Sequence, residues 1–416
     1  MRGLCLGLVA ASLAACGGDW EAVSYETGDT TVVRTVVGSV WGQPATLVEK
    51  ARVAPNPDDS AYAFRDVSAL AAGRRGEVYV VDPQTPAVRV YKKNAEYVRT
   101  IGGKGRGAGF YSLPNGVAVL PDGRVVVRDP RRSQLVVYSR EGDYLERWPH
   151  PSGVYDPLPL MLDADGRLYT RMVYNPSDPR EDWYRGFVRY SSDGTTQDTI
   201  SDPTIDFEPL AVAVETKDGE EVRFEIPLTA RAYWVRGHDG EVIRGISDRY
   251  AIDVVRPDGS VVRIEREFEP APATREERAA LYRAIDRQAR QIDYRWTWGG
   301  PVIPEVKPPF KGLFVDQSGR IWVRLHQPAE PVAPEALGAS EADTLAAPGE
   351  AEGAETTWRE PIVFDVFEPD GRYLGQVHAP SGFRTHPQPV IRGDMVWAVV
   401  AEPSELPNVV RFRIDH

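Results

Sequence analysis

Cysteine is almost absent from this chain of 416 residues, which contains only Cys5 and Cys16. Both lie at the very start, so the rest of the chain has no thiol for a disulfide, a cysteine-bound metal or a cysteine nucleophile. The folded part must therefore be stable through its hydrophobic core, which a chain of this length can bury.

Long apolar runs are also missing, and the one apolar run covers residues 4–15. A transmembrane helix needs about 20 apolar residues, so this run is too short to span a membrane stably. It follows Met1-Arg2 and ends in small residues, a pattern that predicts a secretory signal peptide. The ending Leu13-Ala14-Ala15-Cys16 resembles the lipobox of bacterial lipoproteins. An ordinary signal peptide with a cysteine near its end remains the alternative interpretation.

The lipobox resemblance implies that Cys16 is lipidated and anchors the protein in the bacterial cell envelope. The residue after Cys16 is Gly17, and not the Asp that resembles an inner-membrane retention signal. In a cell with two membranes we therefore expect the protein to be anchored in the outer membrane. Residues 17–29 are predicted to form a flexible tether. The formal net charge of −12 argues against a nucleic-acid partner. We expect a monomer.

Apart from one helical segment, the chain consists of short apolar or alternating runs separated by turn residues, which is typical of all-β proteins. The clearest repeat covers residues 113–148, with predicted strands at 116–120, 124–128, 134–139 and 144–148. Four antiparallel strands in one repeat are typical of a propeller blade.

Further copies are predicted at 67–101, 157–200 and 209–265, with a fifth from residue 309 and an incomplete sixth at 389–413. The fold class is therefore an all-β, six-bladed β-propeller over residues 30–416. The incomplete copy would leave an open sheet edge. We predict that residues 30–37 pair with the C-terminal strand at 409–413 and close the ring.

Two insertions interrupt the repeats. Residues 270–300 are predicted to contain a helix, because Thr274 and Glu277 have the spacing of a capping box. Residues 330–357 are rich in Ala, Glu, Pro and Gly and poor in large apolar residues. They are predicted to be a disordered loop.

The repeat resembles the NHL-type six-bladed propellers of exported bacterial proteins. Its pattern is Pro-Asn-Gly-Val-Ala-Val at 114–119, then Asp122-Gly123, a strand ending in Asp129 and a strand ending in Tyr138. The resemblance implies a fold but no single function, because unrelated activities share this architecture. Metal-dependent relatives resemble one another in acidic, amide or imidazole side chains where inner strands start. The matching positions in this chain are Asn115, Leu158, Leu210, Gly312 and Pro389.

That set does not form a metal site, so no metal and no cofactor is predicted. The six histidines have no metal-binding spacing, and no Gly-x-Ser-x-Gly motif is present. The glycine-rich run at 102–107 resembles a phosphate-binding loop, but a strand and not a helix follows it. We interpret it as a flexible link, and no catalytic residue is predicted.

Arginines recur in register, five residues after a turn glycine: Arg128, Arg171 and Arg324. Arg131 and Arg132 lie in a turn beside the first of these. Guanidinium groups at equivalent positions can hold an anionic ligand through bidentate contacts. The alternative is structural pairing with nearby acids such as Asp82, Asp129 or Glu181.

Trp183, Trp296 and Trp298 lie in the insertions, where they either form a binding platform or pack internally. The sequence as a whole favours a membrane-anchored binding or scaffold propeller, because binding usually resides in loops on a rigid scaffold. Its ligand would be an anionic sugar, a peptide or another envelope protein. The alternative function is a channel-site hydrolase or lyase that acts on an anionic sugar or lactone.

Overall fold

The computed structural model describes residues 11–14, 20–150, 158–174, 184–331, 358–401 and 406–416. The fold is predominantly β, and no helix in this described part is long and apolar enough to cross a membrane. The chain divides into two compact units. The first unit consists of Met1–Leu47, Ile205–Pro380 and Asp415–His416, and the second of Val48–Thr204 and Ser381–Ile414.

The strands are numbered in chain order. The first sixteen are β1 (Ala11–Ala14), β2 (Glu21–Thr27), β3 (Thr30–Val37), β4 (Ala45–Val53), β5 (Ala69–Ala72), β6 (Val78–Asp82), β7 (Ala87–Tyr91), β8 (Tyr97–Ile101), β9 (Gly116–Val119), β10 (Val125–Asp129), β11 (Gln134–Tyr138), β12 (Tyr144–Pro149), β13 (Met161–Leu162), β14 (Leu168–Tyr174), β15 (Tyr184–Tyr190) and β16 (Thr196–Ser201). The next six are β17 (Ala211–Glu215), β18 (Glu221–Glu225), β19 (Ala232–Arg236), β20 (Val242–Ile246), β21 (Ala251–Val255) and β22 (Val261–Arg266). After the helix α1 (Arg275–Ile292) come β23 (Phe310–Val315), β24 (Ile321–Leu325), β25 (Glu330–Pro331), β26 (Trp358–Arg359), β27 (Val363–Phe367), β28 (Tyr373–His378), β29 (Val390–Arg392), β30 (Met395–Val400) and β31 (Asn408–Asp415).

Three four-stranded antiparallel sheets make up most of the second unit: β5–β8, β9–β12 and β13–β16. The strands predicted within 113–148 coincide with β9–β12 to within one residue at each end. Their inward-facing residues are apolar and β-branched, so Val125, Val127 and Val136 are almost completely buried between sheets.

The aspartate that ends a strand in this repeat has a structural role. Asp82 is fully buried, and its carboxylate accepts hydrogen bonds from the backbone N–H groups of Arg65 (3.0 Å) and Gln84 (2.9 Å). Asp129 accepts the backbone N–H groups of Ser112 (2.8 Å) and Leu113 (3.0 Å) in the same way. Each carboxylate thus accepts at least one backbone N–H of the segment that enters its sheet, and Asp82 also accepts that of Gln84 in the turn after β6.

The tyrosine that ends the third strand has a matching role. The hydroxyls of Tyr91, Tyr138 and Tyr190 donate to backbone carbonyls of the entering segments, at 2.7, 2.8 and 2.8 Å. Burial raises the pKa of Tyr138 to about 12, so the phenol keeps the proton that it donates. The Asp and Tyr that end the second and third strands of the sequence repeat are therefore residues that fix one sheet to the segment before it.

In the first unit, β19–β22 form a four-stranded antiparallel sheet, and β3 pairs in parallel with the outer edge of β22, with Thr30 opposite Val261. β2 forms a hairpin with β3, and β1 pairs with β2. The prediction that residues 30–37 pair with the C-terminal strand is therefore wrong. Val33 packs instead into a core with Ile252 and Ile264, against the backbone of Gly371.

The place predicted for residues 30–37 is taken by a later strand. In the second unit the sheet order is β4-β31-β30-β29, so β4 lies beside the C-terminal strand. The first residues of β4, Ala45 and Thr46, belong to the first unit and pair there with β28. Residues 45–53 carry three charged side chains, Glu49, Lys50 and Arg52, so apolar patterning alone did not identify the segment that covers this edge.

The predicted tether at 17–29 also needs correction. β2 occupies Glu21–Thr27, and Trp20 and Ala22 are only 4% and 3% exposed. Both belong to the apolar core that contains Val33. Residues 20–27 therefore belong to the folded part, because a tryptophan gains free energy when its large apolar surface is removed from water.

The helical insertion is present as α1, and Thr274 Oγ1 accepts the backbone N–H of Glu277 at 3.1 Å, which is the Thr half of the predicted capping box. The carboxylate of Glu277 contacts Lys307 Nζ at 2.7 Å. β17 and β18 form a separate hairpin whose Val212 packs with Ile285 of α1. The fourth copy is thus β19–β22 alone and does not begin at residue 209.

In the fifth copy, β23, β24, β27 and β28 form the antiparallel sheet. Residues 332–357 of the predicted loop lie outside the described residues.

Two substitutions on β3 test its position in the core. Val33 is 4% exposed and Val37 is 51% exposed. We expect Val33→Asp to lower the free energy of unfolding by at least about 2 kcal/mol, because it buries a carboxylate without a partner. Val37→Asp should change it by less than about 0.5 kcal/mol. Urea unfolding measures both, and equal effects would contradict the assigned pairing.

Candidate functional site

Arg128, the first arginine of the predicted register, is 1% exposed. Its Nε donates to the Asn115 side chain at 2.8 Å, and its Nη2 donates to the carbonyl of Leu158 at 2.8 Å. Nη1 also reaches Thr170 Oγ1 at 3.3 Å. The guanidinium therefore connects β10 to the next sheet and is buried from solvent.

The other two arginines of the register are also engaged or buried. Arg171 makes a bidentate ion pair with Asp202, at 2.8 and 2.5 Å. Its guanidinium carbon lies 5.3 Å from the centre of the Phe187 ring. Arg324 is 6% exposed in β24, where its backbone lies opposite Phe364. These contacts favour the structural interpretation of the register over the ligand-binding one.

Arg131 and Arg132 lie in the short 3-10 turn Pro130–Arg132 between β10 and β11. Arg131 is exposed to solvent. Arg132 is half-buried, and its guanidinium donates to the carbonyls of Phe110, at 2.8 Å, and of Gly105. It therefore fixes the glycine-rich link onto the second sheet.

An open cleft of about 620 Å³ lies between that link and strands β11 and β12. Three arginines line it: Arg106, Arg132 and Arg147. The remaining lining residues are Gly107, Ala108, Gly109, Gln134, Val136 and Tyr144. No carboxylate lines this arginine cleft, although the whole chain carries a net charge of −12. Arg132 Nε lies 3.8 Å from the buried carboxylate of Asp129, which offsets one of the three charges. The positive potential therefore comes mainly from Arg106 and Arg147.

The arginine cleft is positioned by the strands and by glycines. Arg147 lies directly opposite Val136 in the β11–β12 pairing, so the two side chains lie on one face of the sheet. The ring of Tyr144 lies edge-on to that of Tyr138, with centroids 6.4 Å apart. A Cβ on Gly105 would come within 2.7 Å of the Phe110 ring, so this path of the link requires glycine.

Arg106 and Arg147 are not among the predicted ligand residues, and both are exposed. Arg106 belongs to the glycine-rich run, which the sequence pattern indicates only as a flexible link. Arg147 is separated from it by forty residues, and only the pairing of β12 with β11 brings it to the cleft. The sequence signal for this site is the alternation of β12, which directs Arg147 to the same face as Val136.

The tryptophans of the helical insertion pack internally. Trp296 and Trp298 meet edge to face at 5.9 Å, and Trp298 meets Tyr282 of α1 at 4.7 Å. Both tryptophans pack against the core formed by Val212, Ile226, Ile285 and Ile303. They are half-buried parts of that core, and Trp183 lies outside the described residues.

A buried group of charged side chains connects α1 to the fifth sheet. Lys307 Nζ is fully buried and lies 2.7 Å from the carboxylates of both Glu277 and Glu360. Glu360 also contacts Lys311 at 3.1 Å and His326 Nδ1 at 3.0 Å. Burial acts to raise the pKa of Glu360, but Lys311, His326 and Lys307 outweigh it and hold the pKa well below its usual range.

Among the described residues, no group of three or more His, Cys, Asp or Glu side chains is arranged to hold a metal ion. His150 is 2% exposed, and its backbone N–H donates to the Ser133 carbonyl at 3.0 Å. Burial, together with the charge of Arg128, lowers the pKa of His150 to about 4.

Comparison with known proteins finds no matching family model and no matching curated protein. Among solved structures, a Bacteroides fragilis protein whose name describes it as exported is similar, with 10% identity, a TM-score of 0.45 and coverage of 93% of this chain and 99% of that one. Virginiamycin B lyase from Staphylococcus aureus has 9% identity, a TM-score of 0.35 and coverage of 84% and 96%. A gluconolactonase from Xanthomonas campestris has 13% identity, a TM-score of 0.37 and coverage of 89% and 98%.

Because His150 is buried, we expect the free energy of unfolding to decrease in acid. Its folded pKa of about 4 lies below the unfolded value of about 6.5, so the unfolded state binds a proton first as the pH falls. The contribution of His150 to the free energy of unfolding should be complete above pH 6.5. It should fall by roughly 3 kcal/mol as the pH approaches 4.

Thermal unfolding at several pH values tests this expectation. His150→Gln should flatten the decrease in melting temperature between pH 6.5 and 4, although its melting temperature at pH 7 need not match that of the unsubstituted protein. His378 is exposed, and His378→Gln is the matched control that should leave the slope unchanged. The same slope in both variants would contradict the assignment of this titration to His150.

Proposed function

We propose that the chain is a six-bladed β-propeller of the cell envelope, anchored by lipid on Cys16. The proposal is supported by the recurrence of four-stranded antiparallel sheets along the chain and by the position of β4 beside β31. The Leu-Ala-Ala-Cys sequence supports the anchor. Cleavage before Cys16 would remove the segment that contains β1.

We further propose that the arginine cleft binds an anionic sugar. The observation that carries this proposal is the presence of three guanidinium groups around one cleft that no carboxylate lines. Guanidinium groups bind carboxylate, phosphate and sulfate through paired hydrogen bonds, and they remain charged at any physiological pH. Tyr144 is 38% exposed and offers a ring face, and Gln134 offers an amide for hydroxyl groups.

Arg132 has a different part in the cleft from the other two arginines. It donates to the carbonyls of Phe110 and Gly105, so it positions the link and also contributes charge. Arg106 and Arg147 are exposed, and no ion pair is found for either within the described part of the chain. They are the residues that can bind a ligand without first losing a protein contact. Binding, and not catalysis, is therefore the proposed activity.

Arginine substitutions in the cleft test this function. Arg106→Ala and Arg147→Ala should each weaken the binding of a sulfated, uronate-containing heparin tetrasaccharide by about tenfold, because each removes a charged hydrogen-bonding group. Affinity should decrease with added salt, because the contacts are exposed. Isothermal titration calorimetry on the protein without residues 1–16 measures both effects.

The controls separate charge recognition from general effects. Arg74 is exposed and lies outside the lining residues, so Arg74→Ala should leave affinity unchanged. A neutral tetrasaccharide such as cellotetraose should not bind. Equal binding by all variants would overturn the proposed site, and tighter binding of an acidic peptide of equal charge would assign the cleft to a protein partner.

The anchor has its own test. Cys16→Ser should abolish incorporation of radiolabelled palmitate in cells and should release the protein from the membrane fraction, because the lipid can form only on that thiol. Cys5→Ser is the matched control and should retain the label. Label that persists in Cys16→Ser would contradict the proposed anchor.

A further inference from the structure

The fold begins very close to the proposed lipid site. Trp20 is 4% exposed and belongs to the core of the first unit, so the chain is fixed in position there. Only four residue steps separate Cys16 from Trp20, and they can span at most about 14 Å. A lipid on Cys16 would therefore hold this end of the first unit close to the membrane surface.

Two exposed apolar side chains lie at the same end. In the β2–β3 hairpin, Val37 is directly opposite Glu21, the residue that follows Trp20. Val36 and Val37 are 52% and 51% exposed, whereas Val32 and Val33 of the same strand are 3% and 4% exposed. The apolar exposure of β3 is thus confined to the end that lies beside the start of the fold.

We propose that Val36 and Val37 rest on the lipid surface that holds the acyl chains of Cys16. This inference depends on the anchor proposed above. Removing two half-exposed valines from water is favourable, and the short connection to Cys16 keeps them near lipid at high effective concentration. The membrane contact fixes the orientation of the first unit relative to the membrane, because the β2–β3 hairpin then points away from the lipid surface.

The charge at this end indicates the kind of lipid surface. Glu21 is exposed beside Val37, and Glu267 follows Arg266, which pairs with Thr35. These carboxylates would repel anionic headgroups. The fitting partner is therefore a zwitterionic phospholipid surface such as phosphatidylcholine or phosphatidylethanolamine, and not an anionic one.

The other end of the hairpin provides an internal reference. β2 and β3 meet at the turn Gly28-Asp29, where Thr27 pairs with Thr30. From Glu21 to Thr27, β2 advances by six residue steps, which span about 20 Å at roughly 3.3 Å per step. Asp29 is exposed, so a probe there should lie clearly farther from the membrane than a probe at Val37.

The experiment uses the full-length, lipidated protein in phosphatidylcholine vesicles. Cys5 lies in the removed segment and Cys16 carries the lipid, so Val37→Cys or Asp29→Cys provides the single free thiol for a fluorophore. Quenching by nitroxide-labelled lipid and by aqueous iodide is compared at the two positions. We expect lipid quenching at least threefold stronger at position 37, and iodide quenching stronger at position 29. Val36→Cys is the second membrane-side position and should behave like Val37→Cys.

Each outcome has a definite meaning. Equal quenching at the two positions, or stronger lipid quenching at position 29, would overturn the membrane contact even where the anchor is correct. Mass spectrometry of the N-terminal peptide shows whether Cys16 is acylated in the same sample. An N-terminal peptide without acyl chains would overturn both the anchor and the contact that depends on it.

Discussion

Pairing of open sheet edges is the constraint on which the rest of this structure depends. An antiparallel sheet that ends in an unpaired strand exposes a row of backbone donors and acceptors. β22 and β31 each have such an edge, and the N-terminal region supplies one strand for each, β3 and β4. The burial of Trp20 follows from this arrangement.

The repeats use buried polar groups to position the segments between strands. Asp129 and Tyr138 fix the segment that enters the second sheet, and Arg132 fixes the glycine-rich link before it. Because these contacts set the path of the link, the arginine cleft is formed by the same interactions that order the repeat. A substitution that weakens them would alter the shape of the cleft as well as stability.

The strands of the clearest repeat could be predicted from sequence, because alternation and turn residues are local signals. The capping box at Thr274 was also sufficient to place the start of α1. The partner of residues 30–37 was not predictable in this way, since it is β22, which lies far along the chain and is brought to β3 only by the fold. The role of Arg128 could not be predicted from sequence for the same reason. Its spacing from the turn glycine suggested ligand binding, but only the fold shows that Asn115 and Leu158 already accept its hydrogen bonds.

The net charge of −12 does not decide what the arginine cleft binds. At physiological ionic strength the Debye length is about 8 Å, so exposed acids beyond that distance contribute little to the potential inside the cleft. Within that distance the lining residues carry three positive groups, and the buried carboxylate of Asp129, 3.8 Å from Arg132, offsets one of them. The remaining acidic surface acts at longer range and at low salt, where it would slow the approach of an anionic ligand. For the proposed anionic ligand, the overall charge would thus act mainly on the association rate, and the lining residues of the cleft mainly on the dissociation rate.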